Sequence, residues 1–365
     1  MTGVQMHQAE QDVICLVGCA VRGETPDPER LADLDAVYTV ASRHMLTAAV
    51  AIALERAGLK DARSSRAIAA SLRKRLLFEQ EMGRVKAELE AAGIWYMPLK
   101  GAVLQSFYPV SEMREFSDYD ILIDAERAAD VKAVMEGLGF TTKSYNRSCH
   151  DVYLKPPFFN FQMHISLFNK EYDGATYQYF RDVGNRLTGA GCEKHFTPED
   201  FYLYMLAHEY KHYSTGGTGL RSLLDTYVYL SRVTPDWAYV AAEAEKLGLS
   251  DFEKANRSLA LQLFGGGELT EADRAMLDYV LRSGAYGNWK HAVENQLAKM
   301  NHSRKKYFLS QLAPPYGQML KRYPILRKMP FLYPACWLHR LVYGLLFYRK
   351  IILYQLRVVL GLKQK

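Results

Sequence analysis

Two aspartates stand at the start of a short apolar segment in the sequence SDYDILI, and this segment constrains the fold more than any other. Its run of apolar and aromatic residues predicts a β-strand. Asp118 and Asp120 are two positions apart, so on a strand both carboxylates project from the same face. Two close carboxylates repel each other unless positive charge lies between them, and a divalent metal ion is the usual solution. The segment therefore predicts a strand that carries a metal-binding carboxylate pair.

A predicted turn and helix precede this strand. The run IWYMP suits a short strand, and LKGAVLQSFYP suits a turn that leads into a helix ending before Pro109. The free N–H groups at the start of such a helix, beside Gly101, are a natural place for a triphosphate. Magnesium on the carboxylates could bridge to those phosphates and neutralise charge during in-line attack at phosphorus.

Helical periodicity fills both ends of the chain, and strand patterns occur only in the middle. We expect an N-terminal helical region over residues 1–90, a small mixed α/β unit over residues 91–195, and a C-terminal helical region with a basic tail over residues 196–365. The runs DVYLKPP and FNFQMHISLF predict two further strands of the middle unit. Thr197 and Pro198 are suited to the N-cap and first position of the helix that follows.

The order of these motifs resembles that of the nucleotidyltransferase superfamily with a DNA polymerase β-like catalytic domain. More narrowly, the chain resembles a poorly characterised bacterial nucleotidyltransferase family, over most of residues 10–350. The likeness rests on the segments GIWYMPLKG, MREFSDYDILI, MHISL, HEYKH and LRSLLDTYVYL. It implies an α+β fold in which a small mixed-sheet nucleotidyltransferase catalytic core (91–195) is flanked by N-terminal and C-terminal helical regions.

The resemblance also implies an activity and its residues. Asp118 and Asp120 would be catalytic and hold Mg²⁺ or Mn²⁺, and Gly101 would be the phosphate-facing turn. Lys100 and Arg114 would pair with phosphate, although both could be ordinary surface cations beside an acidic strand. The expected enzyme is a nucleotide-binding transferase that moves a nucleoside monophosphate from an NTP, ATP among them, to an unknown acceptor and releases pyrophosphate.

The sequence departs from the superfamily pattern at two places. The turn reads Lys-Gly where Gly-Gly or Gly-Ser is usual. The place of a third carboxylate, two residues before His164, holds Gln162, which shares a strand face with Asn160 and His164. Gln162 and His164 are thus candidate cleft contacts, and Asp151 is the nearest candidate for the missing acid. The alternative function is a nucleotide-binding regulatory or scaffold protein with impaired catalysis.

The segment LAHEYKHY matches the H-E-x-x-H spacing of zinc peptidases through His208 and His212. Asp225 or Asp251 could be the distant third ligand, but Lys211 puts a cation inside the motif. A zinc peptidase is therefore a remote alternative. In the nucleotidyltransferase interpretation, His208, His212 and Asp225 either contact nucleotide or acceptor in the cleft or form a buried polar network between helices.

Positive charge is concentrated at the C-terminal end of the chain. From residue 301 onward there are 13 Lys or Arg and no Asp or Glu, whereas the first 300 residues carry 33 basic and 40 acidic residues. The segment 338–362 alternates apolar runs with cations, which fits a helix lying on an anionic membrane surface or a packed C-terminal helix. Nucleic acid is a less suitable partner, because no recognised reading module accompanies the charge.

The N-terminal segment VICLVGCAV is apolar and its LVGC resembles a lipoprotein cleavage box. Glu10 and Asp12 precede it, however, and no Lys or Arg does, which favours an amphipathic first helix over an export signal. Five cysteines without C-x-x-C spacing indicate reduced thiols. We therefore expect a cytoplasmic protein whose basic tail can contact the inner face of the membrane.

Overall fold

A five-stranded mixed sheet lies at the centre of the fold. The structure is a computed structural model that describes residues 6–31 and 33–361. The strands are β1 (Tyr96–Pro98), β2 (Tyr119–Ile123), β3 (Thr141–Ser144), β4 (His150–Lys155) and β5 (Phe159–His164), in the spatial order β1-β2-β5-β4-β3. The pair β2–β5 is parallel and the other three pairs are antiparallel.

Helices precede the sheet, interrupt it and follow it. Before the sheet come α1 (Gln8–Arg22), α2 (Leu34–Arg43), α3 (Thr47–Arg56) and α4 (Ala62–Ala91). Between and just after the strands lie α5 (Gly101–Leu104), α6 (Ala128–Gly137) and α7 (Gly174–Phe180). The remaining helices are α8 (Pro198–Tyr213), α9 (Leu220–Leu230), α10 (Trp237–Lys246), α11 (Ser250–Gly265), α12 (Glu271–Ser283), α13 (Trp289–Lys299), α14 (Arg304–Leu312), α15 (Tyr316–Arg322), α16 (Tyr333–Phe347) and α17 (Arg349–Leu360). The predicted α+β class, a small mixed sheet with helical flanks, is confirmed.

The two faces of the sheet pack against different helices because side chains alternate along each strand. One face buries Ile121 and Phe161 against Phe78 of α4 and Met135 of α6. The opposite face is covered near its edge by a second core, in which Leu122 of β2 joins apolar residues of α8. The sequence TTKS of β3 is polar and alternates between exposed and half-buried residues, so it carries no clear strand signal.

Two local predictions about helices are confirmed. The side chain of Thr197 accepts a hydrogen bond from the backbone N–H of Asp200 at 3.1 Å, and α8 begins at Pro198. The apolar N-terminal segment forms α1, whose Val13 and Leu16 are fully buried. Helix α1 therefore packs as an amphipathic helix, as its charge pattern predicts.

The chain forms two compact units. One runs up to Tyr210 and includes Gly219–Ala285, and it contains the whole sheet. The other combines Lys211–Thr218 with the chain from Tyr286 onward. A small core of Val293, Tyr307 and Val359 lies within the second unit. These boundaries follow spatial contact, and the three-region division expected from the sequence stays a prediction.

The basic tail differs in detail from the expectation of one helix over 338–362. It contains two helices, α16 and α17, which are separated at Tyr348, and position 362 lies outside the described residues. No residue of α16 is buried, and Leu345, Leu346 and Phe347 are about two-thirds exposed. Within 6–31 and 33–361, no helix combines the length and apolarity that crossing a membrane requires. Contact with a membrane surface stays a prediction.

Phe78 tests whether α4 anchors the sheet. Its side chain is fully buried and its ring lies 5.6 Å from that of Phe161 and 5.0 Å from that of Phe116. We expect Phe78→Ala to lower the free energy of unfolding by about 3–5 kcal/mol, because it removes a large side chain and leaves a cavity. Leu76→Ala, at a position half exposed on the same helix, should change it by less than about 0.5 kcal/mol. Urea denaturation measures both, and equal losses would contradict this packing.

Candidate active site

The turn between β1 and α5 places a lysine against the carboxylate pair. Lys100 has φ 42° and ψ −110°, a left-handed backbone conformation that glycine adopts without strain and other residues rarely adopt. Such a conformation costs of order 1–3 kcal/mol and persists only where the surrounding structure enforces it. As a result, the Lys100 ammonium lies 3.3 Å from the Asp120 carboxylate. The departure from the Gly-Gly pattern thus brings a cation into the site.

The parallel pairing of β2 and β5 gives each aspartate its own partner. Strand β2 begins at Tyr119, so Asp118 lies one residue before the strand instead of on it. The Gln162 amide donates a hydrogen bond to Asp118 Oδ2 at 2.7 Å, and His164 Nε2 lies 2.8 Å from Asp120 Oδ1. Gln162 and His164 therefore do share the face that carries the carboxylates. At the place of the expected third carboxylate, the site has a neutral hydrogen-bond donor.

The charges of this cluster are fixed by burial and by close partners. Burial on its own would raise the pKa of Asp120, but the Lys100 ammonium and the His164 hydrogen bond outweigh it and hold that pKa well below its usual value. Burial lowers the pKa of His164, and Lys100 lowers it further, although the hydrogen bond to Asp120 acts in the opposite direction. These partners keep Asp120 ionised around pH 7, and burial favours the uncharged form of the His164 ring.

Lys74 of α4 is a second cation at this site. Its ammonium donates to the Phe116 carbonyl oxygen at 2.5 Å. Burial lowers the pKa of Lys74, and the negative charges of Asp118 and Glu115 oppose that effect. Sequence reasoning missed Lys74 because it lies far from the aspartates along the chain, in a helix with many other cations.

Arg114 lies in a buried network behind the turn. Its guanidinium donates two hydrogen bonds of 2.8 Å to the two oxygens of Asp225, and the Tyr108 hydroxyl donates a third to Asp225 at 2.7 Å. A Cβ atom on Gly101 would lie 2.5 Å from Arg114 Nη1, so a side chain at that position would force the guanidinium to move away from its place beside Asp225. Asp225 thus belongs to a buried network between elements, which is one of its two expected roles. Pairing of Arg114 with phosphate stays a prediction.

Asp151 does not reach the carboxylate pair, so its nomination as the third acid is wrong. It pairs with Met163 in the β4–β5 ladder, and Met163 belongs to the core on the opposite face from Gln162. Its carboxylate accepts a hydrogen bond from the Asn146 backbone N–H at 2.6 Å. Burial raises the pKa of Asp151 above its usual value. The alternation of the strand therefore separates it from the site.

The H-E-x-x-H segment lies on α8, and its residues differ in exposure. Glu209 is 5% exposed, His208 is half-buried and His212 is exposed. Burial raises the pKa of Glu209 to about 8, and the charge of Asp225 adds to the increase. A peptidase needs this glutamate to contact the attacking water, so its burial in the helix-packed core does not favour the zinc peptidase alternative. Contacts of His208 and His212 with a substrate stay predictions.

Comparison with known proteins relates the chain to a protein family. A family model described as an uncharacterised nucleotidyltransferase matches residues 31–265, which is more than half of the chain. The matched range contains the sheet, the carboxylate pair and helices α8 and α9. No curated protein and no solved structure matches the chain.

The buried pair of Arg114 and Asp225 can be tested by a double-mutant cycle. We expect Arg114→Leu and Asp225→Leu each to lower the free energy of unfolding by about 3–5 kcal/mol, because each leaves an unpaired buried charge. The double variant should lose much less than the sum, since it leaves no such charge. Arg127→Leu, which breaks an exposed pair with Asp130, should cost less than about 1 kcal/mol. Additive losses in urea denaturation would show that the two side chains are not coupled.

Proposed function

The chain belongs to the uncharacterised nucleotidyltransferase family, and from that premise we propose that it is a magnesium-dependent enzyme using an NTP as donor. It transfers a nucleoside monophosphate to an acceptor hydroxyl or similar group and releases pyrophosphate. The observation that carries the proposal is the Lys100 ammonium 3.3 Å from Asp120, with Asp118 bound through Gln162 to the same face of the sheet. Few other chemistries need two carboxylates and a lysine ammonium at one partly buried place.

The residues of the site fit a magnesium ion. Mg²⁺ in phosphate-transfer enzymes is commonly held by one or two carboxylates together with substrate phosphates and water. Asp118 and Asp120 would hold it, and Asp120 is held in the ionised form that a metal ligand requires. When bound, the ion would supply neutralisation of the phosphate oxygens. Because two carboxylates suffice for this coordination, Gln162 does not exclude activity.

The chain's own side chains orient the ligands and supply further positive charge. His164 and Gln162 fix the orientations of Asp120 and Asp118 through their hydrogen bonds. The Lys100 ammonium is near enough to Asp120 to balance the charge of that carboxylate in the free protein. The lysine side chain is also flexible and long enough for its ammonium to move to a phosphate oxygen. Lys74 adds positive charge close to Asp118. Together these groups favour a polyanionic substrate over a neutral one.

The alternative is a nucleotide-binding regulatory or scaffold protein with impaired catalysis. Gln162 favours it, because the amide occupies the expected position of an acid and cannot act as a base. The two functions differ in turnover and not in nucleotide binding. Gln162→Glu separates them: a large gain in transfer would indicate a decayed enzyme, whereas loss of existing transfer would give Gln162 a positive role.

The reaction itself is tested with NTPs labelled at the α or the γ phosphorus. We expect label from the α position to reach the acceptor, or water in its absence, with pyrophosphate as the other product and Mg²⁺ required. Asp118→Asn and Asp120→Asn should each lower kcat/KM at least about 100-fold, because charge stabilisation by a metal is worth several kcal/mol. Asp130→Asn, an exposed aspartate on α6, is the matched control and should leave the rate unchanged.

Two results would overturn the proposal. One is transfer of the γ label, which would mean phosphoryl instead of nucleotidyl transfer. The other is full activity of the Asp118→Asn and Asp120→Asn variants. Tight magnesium-dependent binding of an NTP without any transfer would favour the regulatory alternative.

A further inference from the structure

A second group of potential metal ligands lies at the edge of the candidate active site. The side chains of Cys149, His150 and His164 each offer a ligand atom, and these atoms all lie within 4.8 Å of one another. His150 and His164 face each other across the β4–β5 pair, with ring centroids 4.9 Å apart. Cys149 comes immediately before β4, and its Sγ is 3.7 Å from His150 Nδ1. The β4–β5 pairing and the bend before β4 thus bring one sulfur and two imidazoles together.

His164 is prepared to act as a ligand through Nδ1. His164 Nε2 lies 2.8 Å from Asp120 Oδ1, and an Nε2 proton donated in this contact leaves Nδ1 with the lone pair that a metal ion needs. His164 is 5% exposed, and Nδ1 is buried without a hydrogen-bond partner among the residues that the structure describes. A buried nitrogen without a hydrogen-bond partner lowers the stability of the folded protein unless a bound ligand interacts with it.

The spacing fits zinc better than magnesium. Zinc bond lengths of 2.3 Å to sulfur and 2.0–2.1 Å to nitrogen place tetrahedral ligand atoms about 3.4–3.6 Å apart. The distance from Cys149 Sγ to His150 Nδ1 is already close to that value, and the other ligand atoms, which lie within 4.8 Å of one another, need to approach by about 1.4 Å at most. A thiolate and two imidazoles suit a borderline-soft ion, whereas magnesium prefers oxygen ligands.

We propose that Cys149 Sγ, His150 and His164 Nδ1 form a zinc site, with Asp120 as the hydrogen-bond acceptor that orients His164. Binding replaces the proton of the Cys149 thiol, so one proton is released to solvent for each thiolate–zinc bond formed. Three protein ligands leave a fourth position open to water or to a substrate oxygen, which is the arrangement of catalytic instead of closed structural zinc sites. The site uses neither histidine of the H-E-x-x-H segment, and it adjoins the Asp118–Asp120 pair through the His164–Asp120 hydrogen bond without taking either aspartate as a ligand.

The site is tested by metal binding to full-length protein stripped of metal with a chelator. We expect one equivalent of Zn²⁺ per chain in competition with a chromophoric chelator, and no displacement by a large excess of Mg²⁺. Co²⁺ in place of zinc should give the near-ultraviolet charge-transfer band of a thiolate ligand. Cys149→Ser should remove that band and weaken zinc binding at least about 100-fold, beyond the effect of losing an outer hydrogen-bond partner. Cys15→Ser, at an exposed cysteine, is the matched control and should bind zinc normally.

Zinc affinity can also be compared between two variants, Asp120→Asn and Asp118→Asn, that keep all three proposed zinc ligands. Asp120→Asn should weaken zinc binding about 10–100-fold, because it disturbs the partner of His164. Asp118→Asn, whose carboxylate contacts Gln162 instead, should leave zinc affinity unchanged. Circular dichroism of each variant verifies its fold. Absence of stoichiometric zinc, unchanged affinity in Cys149→Ser, or displacement of zinc by Mg²⁺ would each overturn the proposal.

Discussion

The contact of Asp120 with Lys100 and His164 is the interaction on which the candidate site depends. A carboxylate that is 8% exposed would be expensive to keep ionised without close partners. The ammonium of Lys100 and the ring of His164 provide those partners at 3.3 Å and 2.8 Å. A different structural feature positions each partner. The strained turn positions Lys100, and the parallel pairing of β2 with β5 positions His164. The charge of Asp120 thus links the turn, the sheet and the site.

A second buried ion pair supports that turn from behind. Asp225 of α9 binds the guanidinium of Arg114, which in turn lies against the Cα of Gly101. This arrangement explains the Lys-Gly sequence. Gly101 has no side chain and so leaves room for Arg114, and Lys100, in a strained conformation with positive φ, lies with its ammonium beside Asp120. Helix α9 is therefore part of the architecture of the site, although it is distant along the chain.

The sequence predicted the features that depend on local periodicity and failed where side chains from distant segments meet. The strand after Asp118 and the shared face of Gln162 and His164 follow from the two-residue repeat of a strand, and the structure agrees with them. The same repeat excludes Asp151, because the pairing of β4 with β5 places it opposite Met163, on the face away from Gln162. Lys74 and the Cys149–His150 pair had no recognisable spacing. His150 comes opposite His164 only through the pairing of β4 with β5, and Lys74 lies on α4, far from the aspartates along the chain.

The central claim is that Asp118 and Asp120 bind a magnesium–triphosphate together with Lys100. Calorimetric titration with a non-hydrolysable NTP analogue, with and without Mg²⁺, tests it without knowledge of the acceptor. We expect one binding site that requires Mg²⁺ and an affinity at least about 100-fold lower in the Asp118→Asn/Asp120→Asn double variant. Equal affinities of the wild type and the double variant, or binding that is indifferent to Mg²⁺, would contradict it.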